Sequence, residues 1–299
     1  MKIQQPSYEI WEQQPGEAGI YRQIERAGRV CYKSEANTTQ DSAKPFVDRM
    51  VKSEHFAMLE HGTVYLACRH GQLPLYQHNK FSRLHTVDGT DYITTNLRVL
   101  AENKVLEHLA YLSPYQPGRH ELRITVHFTT QIAITREYNR HRANSMAEQS
   151  TRYCNYSKNK FDNEISVNLP IWVKQKAEES EADASIKPLE PEEGRFRSLC
   201  ADIAQGQTQL WSVLDAWYFA NQAAEFAYMK LIAAGCKPQE ARAILPLDTN
   251  TELVHTAFVS DWKHFFDLRA LGTTGAPHPD AKILAQPLYD EFKKRHYID

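Results

Sequence analysis

The sequence has no long apolar run. No stretch of its 299 residues approaches the roughly 18 consecutive apolar residues that a membrane span needs. The first residues, Met1 to Trp11, contain no apolar segment of the kind that directs secretion. We therefore expect a soluble, cytoplasmic protein that has no membrane partner.

Cysteine is sparse, and charge is nearly balanced. The five cysteines are odd in number and lack the short spacings of zinc sites and disulfide scaffolds, which predicts free thiols. The 13 histidines show no metal-ligand spacing either, so no metal is expected. With 35 basic and 37 acidic residues the formal net charge is −2, which argues against a protein that coats nucleic acid or an anionic lipid surface.

Hydrophobic residues make up 42% of the chain, which is enough for the core of a single domain over residues 1–299. Residues 63–67 and 124–128 have the pattern of strands, and these two strands could pair. Between them, residues 68–121 carry a helical pattern of their own and are interpreted as an insertion. Residues 174–193 are charged and poor in apolar side chains, which predicts a linker or surface loop. A long helical pattern covers residues 196–234.

The densest group of cations lies between residues 140 and 152. Arg140-His141-Arg142 is followed after seven residues by Ser150-Thr151-Arg152-Tyr153. Three guanidinium groups so close together repel one another unless they face anions, and phosphate groups suit them well. A helical pattern from Ile132 to Arg142 predicts that the cluster begins at a helix end, with Glu137 within reach of Arg140 and His141.

This cluster resembles the signature of the flavin-dependent thymidylate synthases. The similarity lies in Arg140-His141-Arg142, then Ser145 after two residues, then Glu148-Gln149-Ser150 after two more, and Arg152. Downstream, Ala241 to Leu247 is similar to the family's Ala-Arg-x-x-Leu-Pro segment, and His264 to Arg269 is similar to its closing segment. Upstream, Arg29 to Tyr32 and His55 to His61 resemble two early family segments.

Three positions depart from the family's pattern. Glu137 stands where the family has Gln. Phe258 and Ser260 stand where it often has Asn and Arg near the flavin. The resemblance therefore implies that the adenine or pyrophosphate end of the cofactor is held differently in this chain.

The resemblance implies an α/β (α+β) fold in which a mixed or antiparallel sheet is flanked by helices, with a helical insertion. It also implies the reductive methylation of dUMP to dTMP, with 5,10-methylenetetrahydrofolate as carbon donor, FAD as cofactor and NADPH as reductant. Because the family's flavin sites are shared between subunits, a homotetramer is implied as well.

The resemblance further implies which residues carry the chemistry. Arg269 would be catalytic, because a cation near the uracil ring stabilises the negative charge that develops when carbon-5 acts as a nucleophile. The implied dUMP-binding residues are Glu137, Arg140, Glu148, Gln149, Ser150, Thr151, Arg152, Arg242 and Arg269. The implied FAD-binding residues are His55, Arg140, His141, Arg142, Glu148 and His264.

Two alternatives stay open from the sequence. A protein of the same fold could bind flavin without the synthase reaction, because Glu137, Phe258 and Ser260 depart from the pattern. A nucleic-acid-binding module could use the arginine cluster with interleaved tyrosines, although the rest of the chain is not basic. Oxidation of NADPH that depends on dUMP would separate the synthase from both.

Overall fold

A four-stranded antiparallel sheet lies at the centre of the fold. A computed structural model describes residues 1–180 and 194–299. The strand order of the central sheet is β2-β6-β9-β7. Its strands are β2 (Ser7–Trp11), β6 (Arg123–Gln131), β7 (Ser145–Glu148) and β9 (Asn250–Phe258). Apolar side chains alternate along β6, so that Ile124, Val126 and Phe128 enter one core while Thr125 and His127 face the other side.

A second, three-stranded sheet has the order β3-β5-β4 and is also antiparallel. It consists of β3 (Thr63–Arg69), β4 (Arg83–Val87) and β5 (Thr90–Asn96). The predicted pairing of residues 63–67 with residues 124–128 is therefore wrong, because β3 pairs with β5 and β6 pairs with β2 and β9. Two short strands, β1 (Lys2–Ile3) and β8 (Ser166–Val167), pair in parallel.

Helices cover the sheets. They are α1 (Gly16–Tyr32), α2 (Ala43–Lys52), α3 (Leu97–Glu102), α4 (Ile132–Tyr138), α5 (Ile171–Ser180), α6 (Arg195–Gln205), α7 (Val213–Ala233), α8 (Pro238–Ala241), α9 (Val259–Phe266) and α10 (Pro279–Lys294). A π-helical turn, Asp267–Leu271, follows α9 directly. The predicted α+β class, with antiparallel sheets flanked by helices, is confirmed. No helix in the described ranges is both long and apolar enough to cross a membrane.

Three hydrophobic cores stabilise this arrangement. The first packs α1 and α2 against β3 and β5, with Ile24, Leu59, Leu66 and Ile93 fully buried. The second packs α9 and α10 against β6 and β9, and it is rich in aromatic side chains such as Trp262. The third lies around β8, α5 and α7. The first two cores enclose the central sheet from opposite faces.

Three predicted segments differ in detail from the structure. Residues 68–121 contain α3 and short 3₁₀ turns, and they also contain the hairpin of β4 and β5, which the helical pattern did not predict. Residues 174–180 belong to α5 instead of a loop, and residues 181–193 lie outside the described residues. The long helix predicted over 196–234 is two helices, because α6 ends at Gly206 with a positive φ of 70° and Ser212 caps the start of α7.

Candidate active site

Arg269 is held firmly at the end of α4. Its Nη1 donates to Glu137 Oε2 at 2.6 Å, and its Nη2 donates to the Glu137 carbonyl oxygen at 2.8 Å. Its Nε donates to His141 Nε2 at 3.3 Å. The π-helical turn, which widens the backbone at Arg269, follows α9 and brings this side chain to α4. Glu137, His141 and Arg269 therefore form one cluster, in which Glu137 bonds Arg269 instead of Arg140.

His141 is buried and neutral. Burial, with the nearby Arg269 and His264, lowers the pKa of His141 to about 4. Its ring lies 5.6 Å from the ring of His264 and 5.0 Å from that of Phe265. The neutral ring accepts a hydrogen bond at Nε2 from Arg269, so it orients the guanidinium without adding a second positive charge.

The neighbouring arginines have no side-chain partner in the part of the chain that the structure describes. Helix α4 ends at Tyr138, although the helical pattern continued to Arg142, so Arg136 lies on the helix and Arg140 lies beyond it. Both side chains and that of Arg142 are exposed, and none of the three forms a side-chain hydrogen bond or ion pair within residues 1–180 and 194–299. These three exposed guanidinium groups give the segment from Arg136 to Arg142 an excess of positive charge within the described part of the chain.

Glu148 and Gln149 are fixed by the sheet and by α4. Glu148 accepts hydrogen bonds from Thr135 Oγ1 at 2.6 Å and from Asn139 Nδ2 at 2.9 Å. Gln149 is buried, and its backbone amide donates to the Glu252 carbonyl oxygen. Because β7 pairs with β9, the two residues lie on a rigid edge of the central sheet.

The loop after β7 brings the second group of predicted residues together. Arg242 Nη1 lies 3.4 Å from Thr151 Oγ1, and the Arg152 amide donates to Ser150 Oγ. The Ser150 amide is already bonded to the Cys31 carbonyl oxygen, whereas the Thr151 amide has no partner among the described residues. Two guanidiniums, two hydroxyls and an available amide are the donors that a phosphate dianion needs.

Two other predicted residues are less well placed. His264 is exposed and touches the site only through its ring contact with His141. His55 is exposed at the start of a 3₁₀ turn, and its side chain has no hydrogen bond or ring contact in the described part of the chain. Within a single chain, no side-chain hydrogen bond or ring contact among the described residues joins His55 to the other residues implied for FAD binding.

A row of buried polar side chains, which the sequence pattern did not predict, follows β6 and β9. His61 Nδ1 lies 2.8 Å from Thr256 Oγ1, which lies 2.8 Å from Thr125 Oγ1. Burial and the nearby Arg123 lower the pKa of His61 to about 3, so its ring is neutral. On the other face of β9, His255 is fully buried and contacts Asn144 at 2.6 Å. The alternation along β6 was the one signal for this row, since it places Thr125 opposite the apolar face.

Comparison with solved structures gives weak likenesses. The UMP/dUMP methylase PolB from Streptomyces cacaoi, bound with 5-Br dUMP, is 15% identical, with a TM-score of 0.40. The alignment covers 98% of this chain and 93% of that one. The same methylase bound with 5-Br UMP is also 15% identical, with a TM-score of 0.41 and coverage of 98% and 92%. Comparison with curated proteins gives no match.

A family model matches most of the chain. It is described as Thy1, thymidylate synthase complementing protein, and it matches residues 75–296. The match includes the cluster of Glu137, His141 and Arg269 and the loop of Ser150 to Arg152, but it excludes His55 and Arg29 to Tyr32. Because this match spans well over half of the sequence, the chain belongs to the thymidylate synthase complementing proteins, the family of flavin-dependent thymidylate synthases.

Proposed function

We propose that the protein catalyses the reductive methylation of dUMP to dTMP, with FAD as cofactor, 5,10-methylenetetrahydrofolate as carbon donor and NADPH as reductant. The observation that carries this proposal is the Arg269 guanidinium held by Glu137 and His141, together with Arg140 and Arg142, which have no side-chain partner among the described residues. In a chain of net charge −2 these exposed cations form a local positive surface, which would attract a ligand with several negative charges. A nucleotide and a dinucleotide cofactor would supply that charge.

The dUMP phosphate would bind at the loop after β7. Arg152 and Arg242 can approach it with their guanidinium forks, and Ser150 and the Thr151 amide can donate hydrogen bonds. Glu148 and Gln149 stand between this loop and Arg140, so they would contact the ribose and base. Glu137 would contact the substrate only after releasing part of its bond to Arg269.

Arg269 would act on the uracil ring. When carbon-5 attacks the carbon donor, negative charge develops on the ring, and a preorganised guanidinium stabilises it without further rearrangement. Glu137 and His141 position that guanidinium. Glu137 also reduces the net charge at Arg269, so the two residues together set the strength of this stabilisation.

A cysteine nucleophile is not needed, and the buried thiols are unsuited to the role. Burial raises the pKa of Cys31 to about 12 and that of Cys154 to about 11. Both thiols are therefore protonated near neutral pH and are poor nucleophiles. Activation of the substrate by Arg269 fits this environment better than covalent attack by the enzyme.

The residues also fit an anionic flavin cofactor. Arg140 and Arg142 are exposed cations without side-chain partners in residues 1–180 and 194–299, His141 lies between them in sequence, and the His264 ring contacts that of His141. When bound, FAD would supply the hydride that completes the methyl group. His55, which stands apart in one chain, would contribute to a site of a neighbouring subunit, and we propose a homotetramer with shared sites on that ground.

The test is a coupled assay on the purified protein with FAD, NADPH, dUMP and methylenetetrahydrofolate. We expect dTMP to form and NADPH oxidation to depend on dUMP. FAD binding without dTMP formation would favour the flavin-binding homologue. A colourless protein with salt-sensitive oligonucleotide binding would favour the nucleic-acid module.

A further inference from the structure

A small cationic cavity lies between residues 68–121 and the end of β9. Its volume is about 180 Å³. Four cationic side chains line it, together with the ring of Phe258; they are Lys80, Arg83, Arg123 and Arg142. Two of these cations, Lys80 and Arg83, come from the segment interpreted as an insertion. We call this space the Arg83–Arg123 cavity.

Arg83 lies over the ring of Phe258, which lines the cavity. Its guanidinium carbon lies 4.3 Å from the centre of the Phe258 ring, and that of Arg123 lies 5.3 Å from the same ring. Glu121 and Asp261 approach Arg83 at 3.4 Å and 3.5 Å. Four cations thus face two carboxylates, which leaves the cavity with an excess of about two positive charges.

The two positions that depart from the family pattern at the end of β9 both support Arg83. Phe258 provides the ring on which its guanidinium rests. Ser260 donates to Glu121 from both its amide and its hydroxyl, and Glu121 pairs with Arg83. Where the family often has an Arg, this chain has a Ser that fixes an Arg from residues 68–121.

Arg123 lines the cavity and is buried. It is 8% exposed, and its guanidinium donates to the Glu60 carbonyl oxygen, Thr63 Oγ1 and Ser145 Oγ, all of them neutral groups. Its Nε has no partner among the described residues. Burial lowers the pKa of Arg123 to about 10, so it still carries its charge at neutral pH. A buried cation without a contacting carboxylate is costly unless an anion accompanies it.

We propose that the Arg83–Arg123 cavity binds a phosphate or diphosphate group of a nucleotide ligand, and that residues 68–121 supply two of its cations. This inference rests on the proposed function, which provides the flavin dinucleotide as such a ligand. A dUMP phosphate in this cavity would replace the placement proposed above at the loop after β7. The volume supports a phosphate in preference to a whole ligand, because pockets for drug-sized ligands measure roughly 300–1,000 Å³. A flavin ring would not fit, but a phosphate group with its oxygens would.

The first experiment is a calorimetric titration of the purified full-length chain with inorganic diphosphate. We compare the native protein with Lys80→Gln, Arg83→Gln and the control Arg69→Gln, which removes an exposed cation of the same segment outside the cavity. We expect Kd to rise roughly five- to tenfold in each cavity variant and to stay unchanged in the control. Equal Kd values in all four proteins, or no binding by the native protein, would overturn the proposal.

If Arg83→Gln disturbs the fold, Lys80→Gln still tests the proposal. Lys80 is exposed, and among the described residues the contact of its ammonium group is with the Phe81 ring. Its carbonyl oxygen, which accepts a hydrogen bond from Arg83, is kept in the variant, so the melting temperature should stay unchanged. The source of the phosphate follows from the same variants. A weaker Kd for FAD with an unchanged Kd for dUMP assigns the group to the cofactor, and the reverse assigns it to the substrate.

Failure of the proposed function gives a different result from failure of this inference. If the protein takes up no FAD and makes no dTMP, yet binds diphosphate through Lys80 and Arg83, the proposed function is contradicted and the anion site is supported. If the protein makes dTMP, but both variants bind FAD, dUMP and diphosphate as tightly as the native protein, the anion site is contradicted and the proposed function is supported.

Discussion

At the scale of single residues, the cation at Arg269 carries the proposed chemistry. Arg269→Ala should lower kcat by roughly 10²–10³, because a preorganised charge on the reacting ring is lost. FAD affinity should change far less, since the contacts of Arg269 in the chain are to Glu137 and His141. Steady-state kinetics and flavin titration measure the two effects separately.

The matched control is Arg98→Ala, which also removes an arginine paired with carboxylates, Glu60 and Glu102, but away from this cluster. Near-normal turnover in Arg269→Ala, with Arg98→Ala equally active, would remove Arg269 from the catalytic role.

Buried neutral histidines predict how stability depends on pH. Burial lowers the pKa values of His61 to about 3 and of His141 to about 4, below the ordinary value of 6.5. Below about pH 6.5 the unfolded chain binds protons that the folded chain does not, so the free energy of unfolding should fall. Each group contributes up to about 1.4 kcal/mol per pH unit until its folded pKa is reached.

Urea unfolding between about pH 7 and pH 5 measures this slope. His61→Asn keeps a polar side chain that can bond Thr256 and does not titrate, so its slope should be shallower. An identical slope in the variant would show that His61 is not the source.

Motif spacing predicted part of the site, for a physical reason. Arg269 and His141 lie in segments whose order along the chain is fixed by the family pattern, and the fold brings both to the end of α4. Arg123 and Lys80 could not be found in this way. Each is an ordinary basic residue in its own segment, and the pairing of β6 with β9 and the packing of residues 68–121 decide what it faces.

At the scale of elements, a close approach between α1 and the start of β3 holds His61 in place. Gly62 lies where a Cβ atom would meet Ile24 Cδ1 at 2.5 Å and Ile20 Cγ2 at 2.8 Å. Gly62→Ala should destabilise the protein by about 1–3 kcal/mol, because the core between these elements has no room for a methyl group.

The control is the double variant Gly62→Ala with Ile24→Val, which removes the nearest atom, Ile24 Cδ1. It should recover part of the loss relative to the sum of the two single changes, as thermal unfolding would show. Strict additivity would contradict the predicted contact.

The sequence predicted the position of strands better than it predicted which strands pair with each other. The alternation of β6 identified a strand, but an alternating pattern does not specify which strand lies beside it, and the pairing with residues 63–67 was wrong. The pattern of residues 196–234 continued across Gly206, where a left-handed residue ends α6. Hydrophobic periodicity indicates which face of a helix is buried, but it carries little information about where a single glycine ends the helix.

At the scale of the whole molecule, the proposed flavin site is shared between subunits. Among the described residues the His55 side chain has no hydrogen bond or ring contact with the other implied residues, and large apolar side chains are exposed on α6 and α7 and just before α7, among them Leu210 and Phe226. Exposed apolar groups of this size favour contact with another protein surface. We expect dilution into monomers to release FAD and to raise flavin fluorescence.

Size-exclusion chromatography with light scattering would establish the oligomeric state at each dilution. Flavin fluorescence that remains quenched in demonstrated monomers would contradict the shared site and would place all of the FAD contacts within one chain.

The central claim is that this chain couples flavin reduction to methylation of dUMP, and a visible absorption spectrum under anaerobic conditions tests it most directly. We predict a flavin band that bleaches when NADPH is added and recovers only when both dUMP and methylenetetrahydrofolate are present. A reduced flavin that does not recover with both substrates, or a protein that takes up no FAD, would contradict the claim.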